Sequence, residues 1–175
     1  MSLDWKASRS GGLHGTYTVP GDKSISHRAI MLAALAEGES RIEGFLEGED
    51  TRATAKIFSQ LGVRIETPDA HTRIVHGVGL HGLKASAEAL DCGNAGTGMR
   101  LLTGLLSAQA FDSVLVGDAS LSKRPMARVI RLLEAMGAHI DARDGNFAPL
   151  RIHGGRVLQG QSVDTQVASA QVKSA

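Results

Sequence analysis

Apolar residues along this chain switch between helical and alternating spacing in a fixed order. Ile30, Met31, Ala34 and Leu35 recur at helical spacing within residues 25–37, and Gly38 closes the run, which predicts a helix with one buried face. Ser24 is its expected N-cap. A short strand is predicted at 41–45. Glu47-Gly48-Glu49-Asp50-Thr51 then offers capping and dipole-matching groups for a second helix, whose apolar Ala53, Ile57 and Leu61 precede a stop at Gly62. Residues 63–66 and 72–78 read as strands.

The order then repeats. A helix is predicted at 97–109, a strand at 113–116, a helix at 125–136, and strands at 139–142 and 150–153. Pro125 suits a first helical turn because its missing N–H would be unpaired there anyway. Residues 77–82 and 154–160 are Gly-bearing connections, and a strand at 19–20 or 91–92 would feed each Gly-rich turn. The repeat is also visible in the letters. Gly21-Asp22-Lys23-Ser24-Ile25-Ser26-His27-Arg28 is echoed by Gly93-Asn94-Ala95-Gly96-Thr97-Gly98-Met99-Arg100, both running from Gly through small polar residues to Arg. Gln60-Leu61-Gly62-Val63-Arg64-Ile65 is echoed by Ala135-Met136-Gly137-Ala138-His139-Ile140, and Ile74-Val75-His76-Gly77 by Arg151-Ile152-His153-Gly154. The offset drifts only from 72 to 77, which marks a duplicated unit. Ser169-Ala170-Gln171-Val172-Lys173 aligns with Ser24-Ile25-Ser26-His27-Arg28 and starts a third. Helix, strand, helix, strand, strand, used twice, predicts an α/β fold in which each sheet is backed by its own helices.

Composition narrows the function. At 175 residues, 42% hydrophobic and 21% charged, the chain can bury a core. Its net charge of +1 gives no polyanion-binding surface, and 3% aromatics gives no stacking platform, so nucleic acid is not expected as a partner. The N-terminus lacks a signal peptide's apolar run and no stretch has the length of a membrane span, so a cytoplasmic protein is expected. The one cysteine, Cys92, forms no intrachain disulfide. Small ligands become the expected partners.

Lys23, Ser24 and Arg28 form the sharpest chemical cluster, because Ser24 and Arg28 share a helix face and Lys23 stands at the helix start. A helix N-terminus with a hydroxyl, an ammonium and a guanidinium suits a phosphate or carboxylate. Taken singly, Ser24 also reads as a cap and both cations as solvated charges. Gly93–Gly98 puts bare backbone at another helix start, where a ligand can approach the amides, and Lys123-Arg124-Pro125 adds a further Arg. His71, His76 and His81 are spread over different faces and Cys92 has no partner cysteine, so no metal site is expected. Cys92 reads as a buried, inert thiol, and Glu47, Glu49 and Asp50 as helix-start groups. No general acid or base stands out.

Pro20-Gly21-Asp22-Lys23-Ser24-Ile25-Ser26-His27-Arg28, Gly93-Asn94-Ala95-Gly96-Thr97, Leu121-Ser122-Lys123-Arg124-Pro125-Met126 and Ser169-Ala170-Gln171-Val172-Lys173-Ser174-Ala175 together resemble the 5-enolpyruvylshikimate-3-phosphate (EPSP) synthase family. The resemblance runs over essentially the whole chain but covers only the first two fifths or so of a typical member. It implies an inside-out α/β barrel (α+β in content) built from βαβαββ units, with the active site between two such domains. Residues 1–20 would then belong to the other domain, 21–84 form the first repeat, 85–156 the second, and 157–175 the start of a third.

The same resemblance implies transfer of the enolpyruvyl group of phosphoenolpyruvate to the 5-hydroxyl of shikimate-3-phosphate, with phosphate released and no metal or organic cofactor. Lys23, Ser24, Arg28, Ser169, Ala170 and Gln171 match shikimate-3-phosphate contacts, and Lys23, Asn94, Gly96, Arg124 and Gln171 match phosphoenolpyruvate contacts. The family's acid and base groups are expected beyond residue 175, on a remainder supplied in cis or in trans, so the chain alone is expected not to turn over. The full-length parent is expected to be a monomer. The rival in the same fold, UDP-N-acetylglucosamine enolpyruvyl transferase, carries a Lys-Asn start motif, against which Asp22-Lys23-Ser24 speaks. A noncatalytic binding module, or half of a split enzyme, is the alternative from another class.

Overall fold

The computed structural model describes residues 4–9, 11, 12, 14–162, 165 and 168–175. Residues 1–3, 10 and 13 of the expected N-terminal segment, and 163, 164, 166 and 167 of the expected third unit, lie outside them. The first unit runs α1 (Lys23–Leu35), β1 (Glu37–Ile42), α2 (Glu49–Gln60), β2 (Arg64–Asp69), β3 (Thr72–Val78). The second runs β4 (Leu90–Asp91), α3 (Gly96–Ser107), β5 (Ser113–Val116), α4 (Ala127–Ala135), β6 (His139–Arg143), β7 (Phe147–His153), with a 3₁₀ turn at Leu121–Lys123 before α4. A short helix, α5 (Ala170–Ser174), follows.

The duplication holds in three dimensions. Both sheets share one antiparallel arrangement, β1-β3-β2 in the first and β5-β7-β6 in the second, and β4 adds to the second in parallel. The second unit is therefore a full βαβαββ. The first has no counterpart of β4 among the described residues, so the strand expected at 19–20 is not found. Its residues are exposed and irregular, with Tyr17 and Val19 in solvent.

Equivalent glycines explain why the two units close alike. A Cβ on Gly77 would lie 2.2 Å from the Ala36 carbonyl oxygen, and one on Gly154 would lie 2.2 Å from that of Phe111. Only bare backbone fits where each last strand passes the chain ahead of the sheet. Ile30, Phe58, Leu61 and Val75 from the first unit and Met99, Leu102, Leu115, Leu150 and Ile152 from the second join in one continuous apolar core. Among the described residues no helix is long and apolar enough to cross a membrane.

Local chemistry corrects three expectations. Asp22, not Ser24, caps α1: its Oδ1 accepts from the Ile25 N–H at 2.8 Å. A carboxylate at the cap also suits the helix dipole better than a hydroxyl. The predicted strand at 41–45 sits earlier, because Gly38, instead of only ending the helix, takes φ +88 inside β1. Pro125 lies ahead of α4 rather than in its first turn. The start of that helix is capped from a distance by Asn146, whose Oδ1 accepts from the Met126 and Ala127 N–H groups at 3.0 and 2.8 Å.

Candidate active site

With Asp22 holding the cap, the first turns of α1 carry three further polar groups, Lys23, Ser24 and Arg28. Ser24 is half-buried and its hydroxyl has no partner among the described residues. Lys23 Nζ pairs with Asp50 Oδ2 at 2.9 Å, joining the starts of α1 and α2. Arg28, one turn on, donates from Nη1 to the Ser24 carbonyl at 3.3 Å and from Nη2 to Ser174 Oγ at 2.9 Å.

The equivalent start of α3 is open. No side chain caps it, and Gly93, at φ +53, turns the backbone into the helix. Unpaired N–H groups at such an end attract anions. Arg100 repeats the geometry of Arg28: its Nη1 donates to the Gly96 carbonyl at 3.2 Å and to Gln171 Oε1 at 3.1 Å, and its Nη2 to the Pro125 carbonyl at 3.0 Å. Arg124 donates from Nη2 to Asn94 Oδ1 in a short contact, and Asn94 Nδ2 donates to Asp118 Oδ2 at 2.7 Å. The two guanidiniums converge beside Gly96. A Cβ there would stand 3.1 Å from Arg124 Nη1 and 3.2 Å from Arg100 Nη1.

Charge balance separates these arginines from four others, although Arg143 and Arg151 also make no ion pair among the described residues. Arg41, Arg52, Arg64 and Arg73 each meet a glutamate. Among the described residues Arg28, Arg100 and Arg124 meet only neutral oxygens. Burial, followed by the charges of Arg124 and Arg128, lowers the pKa of Arg100, yet a guanidinium stays cationic in protein. Two cations without a carboxylate, Arg100 and Arg124, beside an uncapped helix start make an anion site, and Arg28 on α1 offers a third cation toward α5.

The nearby carboxylates are committed. Asp50 holds Lys23. The Leu121 N–H first, and then the Asn94 amide, hold the Asp118 carboxyl below the usual carboxylate range, so it stays ionised and accepts. Neither is placed to donate a proton.

The structure thus gathers Gly96 and Gln171 on Arg100 and Asn94 on Arg124, the two guanidiniums meeting beside Gly96, and ties Arg28 to α5 through Ser174. Gln171 also donates from Nε2 to Thr97 Oγ1 at 2.9 Å. Ser169 starts α5 and Ala170 follows it, half-buried and exposed respectively. Lys23 stands apart with Asp50. Arg100, Thr97 and Asp118 are absent from the residues singled out in the sequence, although the pairing of Arg28 with Arg100 in the repeat was the signal for the first. Cys92 is buried, and desolvation pushes its thiol up to about 12, so it is no nucleophile. His71 and His76 do not converge: the His71 ring contacts the Phe45 carbonyl, and His76 lies between Glu66 and Glu39.

Residues 8–175 match the model of the family described as EPSP synthase (3-phosphoshikimate 1-carboxyvinyltransferase). The chain belongs to the EPSP synthase family. It is 66% identical over 171 residues to the 3-phosphoshikimate 1-carboxyvinyltransferase of Xanthomonas campestris pv. campestris (strain B100), covering 98% of this chain and 39% of that relative. To the Xylella fastidiosa (strain Temecula1 / ATCC 700964) protein of the same name it is 67% identical, covering 38% of it. A solved EPSP synthase from Acinetobacter baumannii superposes with TM-score 0.88 at 56% identity, over 91% of this chain and 36% of that one. The chain therefore spans about two fifths of the length of these EPSP synthase relatives and shares their α/β enolpyruvyl transferase fold.

Proposed function

We propose that this chain carries one wall of a site where the enolpyruvyl group of phosphoenolpyruvate passes to the 5-hydroxyl of shikimate-3-phosphate. The observation that supports it is the pair of guanidiniums at Arg100 and Arg124, unpaired with any described carboxylate, at the open start of α3, with Arg28 on α1 as a third such cation. Both substrates are anions, and bringing them together costs electrostatic repulsion that fixed cations lower. Phosphoenolpyruvate suits the pocket of Gly96, Arg124, Arg100 and Asn94. The phosphate of shikimate-3-phosphate suits Ser24, Arg28, Lys23, Ser169 and Ala170, with Gln171 between the two.

In the reaction the 5-hydroxyl gives up its proton to a base and its oxygen bonds to C2 of phosphoenolpyruvate while C3 gains a proton from an acid. The tetrahedral intermediate then loses phosphate from C2 and a proton from C3. Protonation of the enol phosphate at C3 makes C2 electrophilic, so the step calls on no metal or organic cofactor. Asp50 and Asp118 are held as acceptors, so we assign proton transfer and the opposite wall to further polypeptide. It comes in cis in a monomer of the relatives' length, or in trans from a partner chain. We assign the protein to the cytosol, where phosphorylated substrates that cannot cross a membrane are made.

The test is calorimetric titration of each substrate into this chain, with phosphate release measured with and without the remaining residues of a relative. Arg124→Gln should weaken phosphoenolpyruvate and Arg28→Gln shikimate-3-phosphate, each by about 1.5–3 kcal/mol of lost charge-assisted hydrogen bonding. Phosphate release should need the added polypeptide. Substrate binding indifferent to both substitutions would reject the reading.

A further inference from the structure

The β6–β7 hairpin gathers a second polar cluster, on the face of its sheet turned away from α3 and α4. Ile140 on β6 and Ala148, Leu150 and Ile152 on β7 point into the core, so His139, Asp141 and His153 point outward by strand alternation. His139 and His153 are directly opposed across the strands, with rings stacked 4.3 Å apart at 18°. His153 Nε2 donates to Asp141 Oδ2 at 2.8 Å, and His139 Nε2 lies 3.6 Å from Asp141 Oδ1. On its other side His153 Nδ1 is 3.8 Å from Asp112 Oδ2. One ligand atom from each of His139, Asp141 and His153 can be chosen so that all lie within 4.8 Å of one another.

The duplicated unit supplies an internal control. His76 occupies the place of His153, Glu66 that of Asp141, Glu39 that of Asp112 and Arg64 that of His139. There Arg64 Nη2 pairs with Glu66 Oε1 at 2.8 Å, so a guanidinium stands where a third ligand would be needed. In the second unit that guanidinium is replaced by an imidazole, and two imidazoles share one carboxylate. Arg151 faces Asp141 across the strands but makes no ion pair with it among the described residues.

We infer that His139, Asp141 and His153 form a binding site for a divalent transition-metal cation of the zinc or nickel type. Two imidazoles and a carboxylate favour such ions over magnesium or calcium, which prefer all-oxygen ligands. Zinc–nitrogen and zinc–oxygen bonds of about 2.0–2.2 Å require ligand atoms about 3.4 Å apart. The half-exposed side chains reach that spacing by small rotations on a fixed hairpin. Asp112 steadies the second nitrogen of His153, as outer carboxylates do for ligating histidines. Water completes the coordination, and the ion clasps the edge strand β6 to β7.

Zinc titrated into the chain by calorimetry should bind one equivalent, raise the melting temperature and shift the imidazole NMR signals of His139 and His153. His139→Gln, His153→Gln and the isosteric Asp141→Asn should each weaken binding about tenfold or more. Arg151→Gln, which removes a neighbouring positive charge, should tighten it. Arg64→His should add a second equivalent on the first sheet. Absence of saturable binding, or binding unchanged in His139→Gln and Asp141→Asn, would overturn the assignment. So would a failure of Arg64→His to gain an equivalent, since the contrast between the two sheets rests on that residue.

Discussion

Arg100 donates to Gln171 Oε1 at 3.1 Å, which ties the first turn of α5 to a cation on α3 without neutralising it. A neutral amide orients the guanidinium and leaves its charge for a ligand. Gln171→Glu should therefore form an ion pair with Arg100, hold or slightly raise the melting temperature, and weaken phosphoenolpyruvate by about 1–2 kcal/mol. Titration of the variant checks it. Unchanged affinity would mean that Arg100 does not face the anion.

Gly96 is the first residue of α3 and does not have a positive φ, so backbone strain is not what requires glycine there. The constraint is space, with two guanidinium ends little more than 3 Å from where a Cβ would be. Gly96→Ala should push Arg100 and Arg124 apart and weaken phosphoenolpyruvate, with shikimate-3-phosphate little affected. Helix propensity should leave stability level or raise it by roughly 0.5 kcal/mol. A lowered melting temperature with equal loss of both ligands would contradict this.

His27, although inside the start motif, is a core residue at 0% exposure, its Nδ1 paired with Thr54 Oγ1 at 2.8 Å and its Nε2 without a partner among the described residues. Burial lowers its pKa; Asp50 opposes the shift, and Lys23 and Arg28 add to it. As pH falls below the ordinary value of about 6.5, the unfolded chain takes up a proton that the folded protein resists, so stability drops with pH in that range. His27→Asn keeps a partner for Thr54 and does not titrate. Denaturant midpoints measured at pH 7 and pH 5 should differ less in this variant, and an equal difference would rule out His27 as the cause.

Gly77→Ala and Gly154→Ala should each cost about 1–3 kcal/mol or more, because the neighbouring atom is a carbonyl oxygen of the main chain and cannot rotate away. Gly160, with nothing within 4 Å of its added Cβ, is the control and should tolerate alanine. Thermal melts of the three variants decide the point. Similar melts for all three would refute the close-approach argument.

Much of the fold was legible in the letters because helical and strand periodicity act over a few residues. The helices at 25–37 and 97–109, the strand at 113–116 and both closing hairpins were found in place, with ends shifted by a few residues. The errors fall where a distant group decides. Asn146 caps α4 from the next turn, which moves the helix start past Pro125, and Asp22 takes a cap that Ser24 was equally suited to fill. Within the candidate site, Asn94, Gly96 and Arg124 stood out by motif, while Lys23, equally prominent, pairs with Asp50. Arg100 appeared only as the closing Arg of the repeated motif, because nothing local to it shows that Gln171 and Gly96 gather on it.

What the sequence determined by itself is the duplicated α/β order, the matched glycines of the two units and the supply of cations near helix starts. All of these follow from local backbone preference and residue type. Only the tertiary structure decided which arginines would lack a carboxylate and which histidines would stand face to face. Arg73 and Arg100 are the same residue type, yet Glu47 reaches one and Gln171 the other. That choice is made by long-range packing and strand register, where one step along β6 would turn His139 and Asp141 into the core and Ile140 out to solvent.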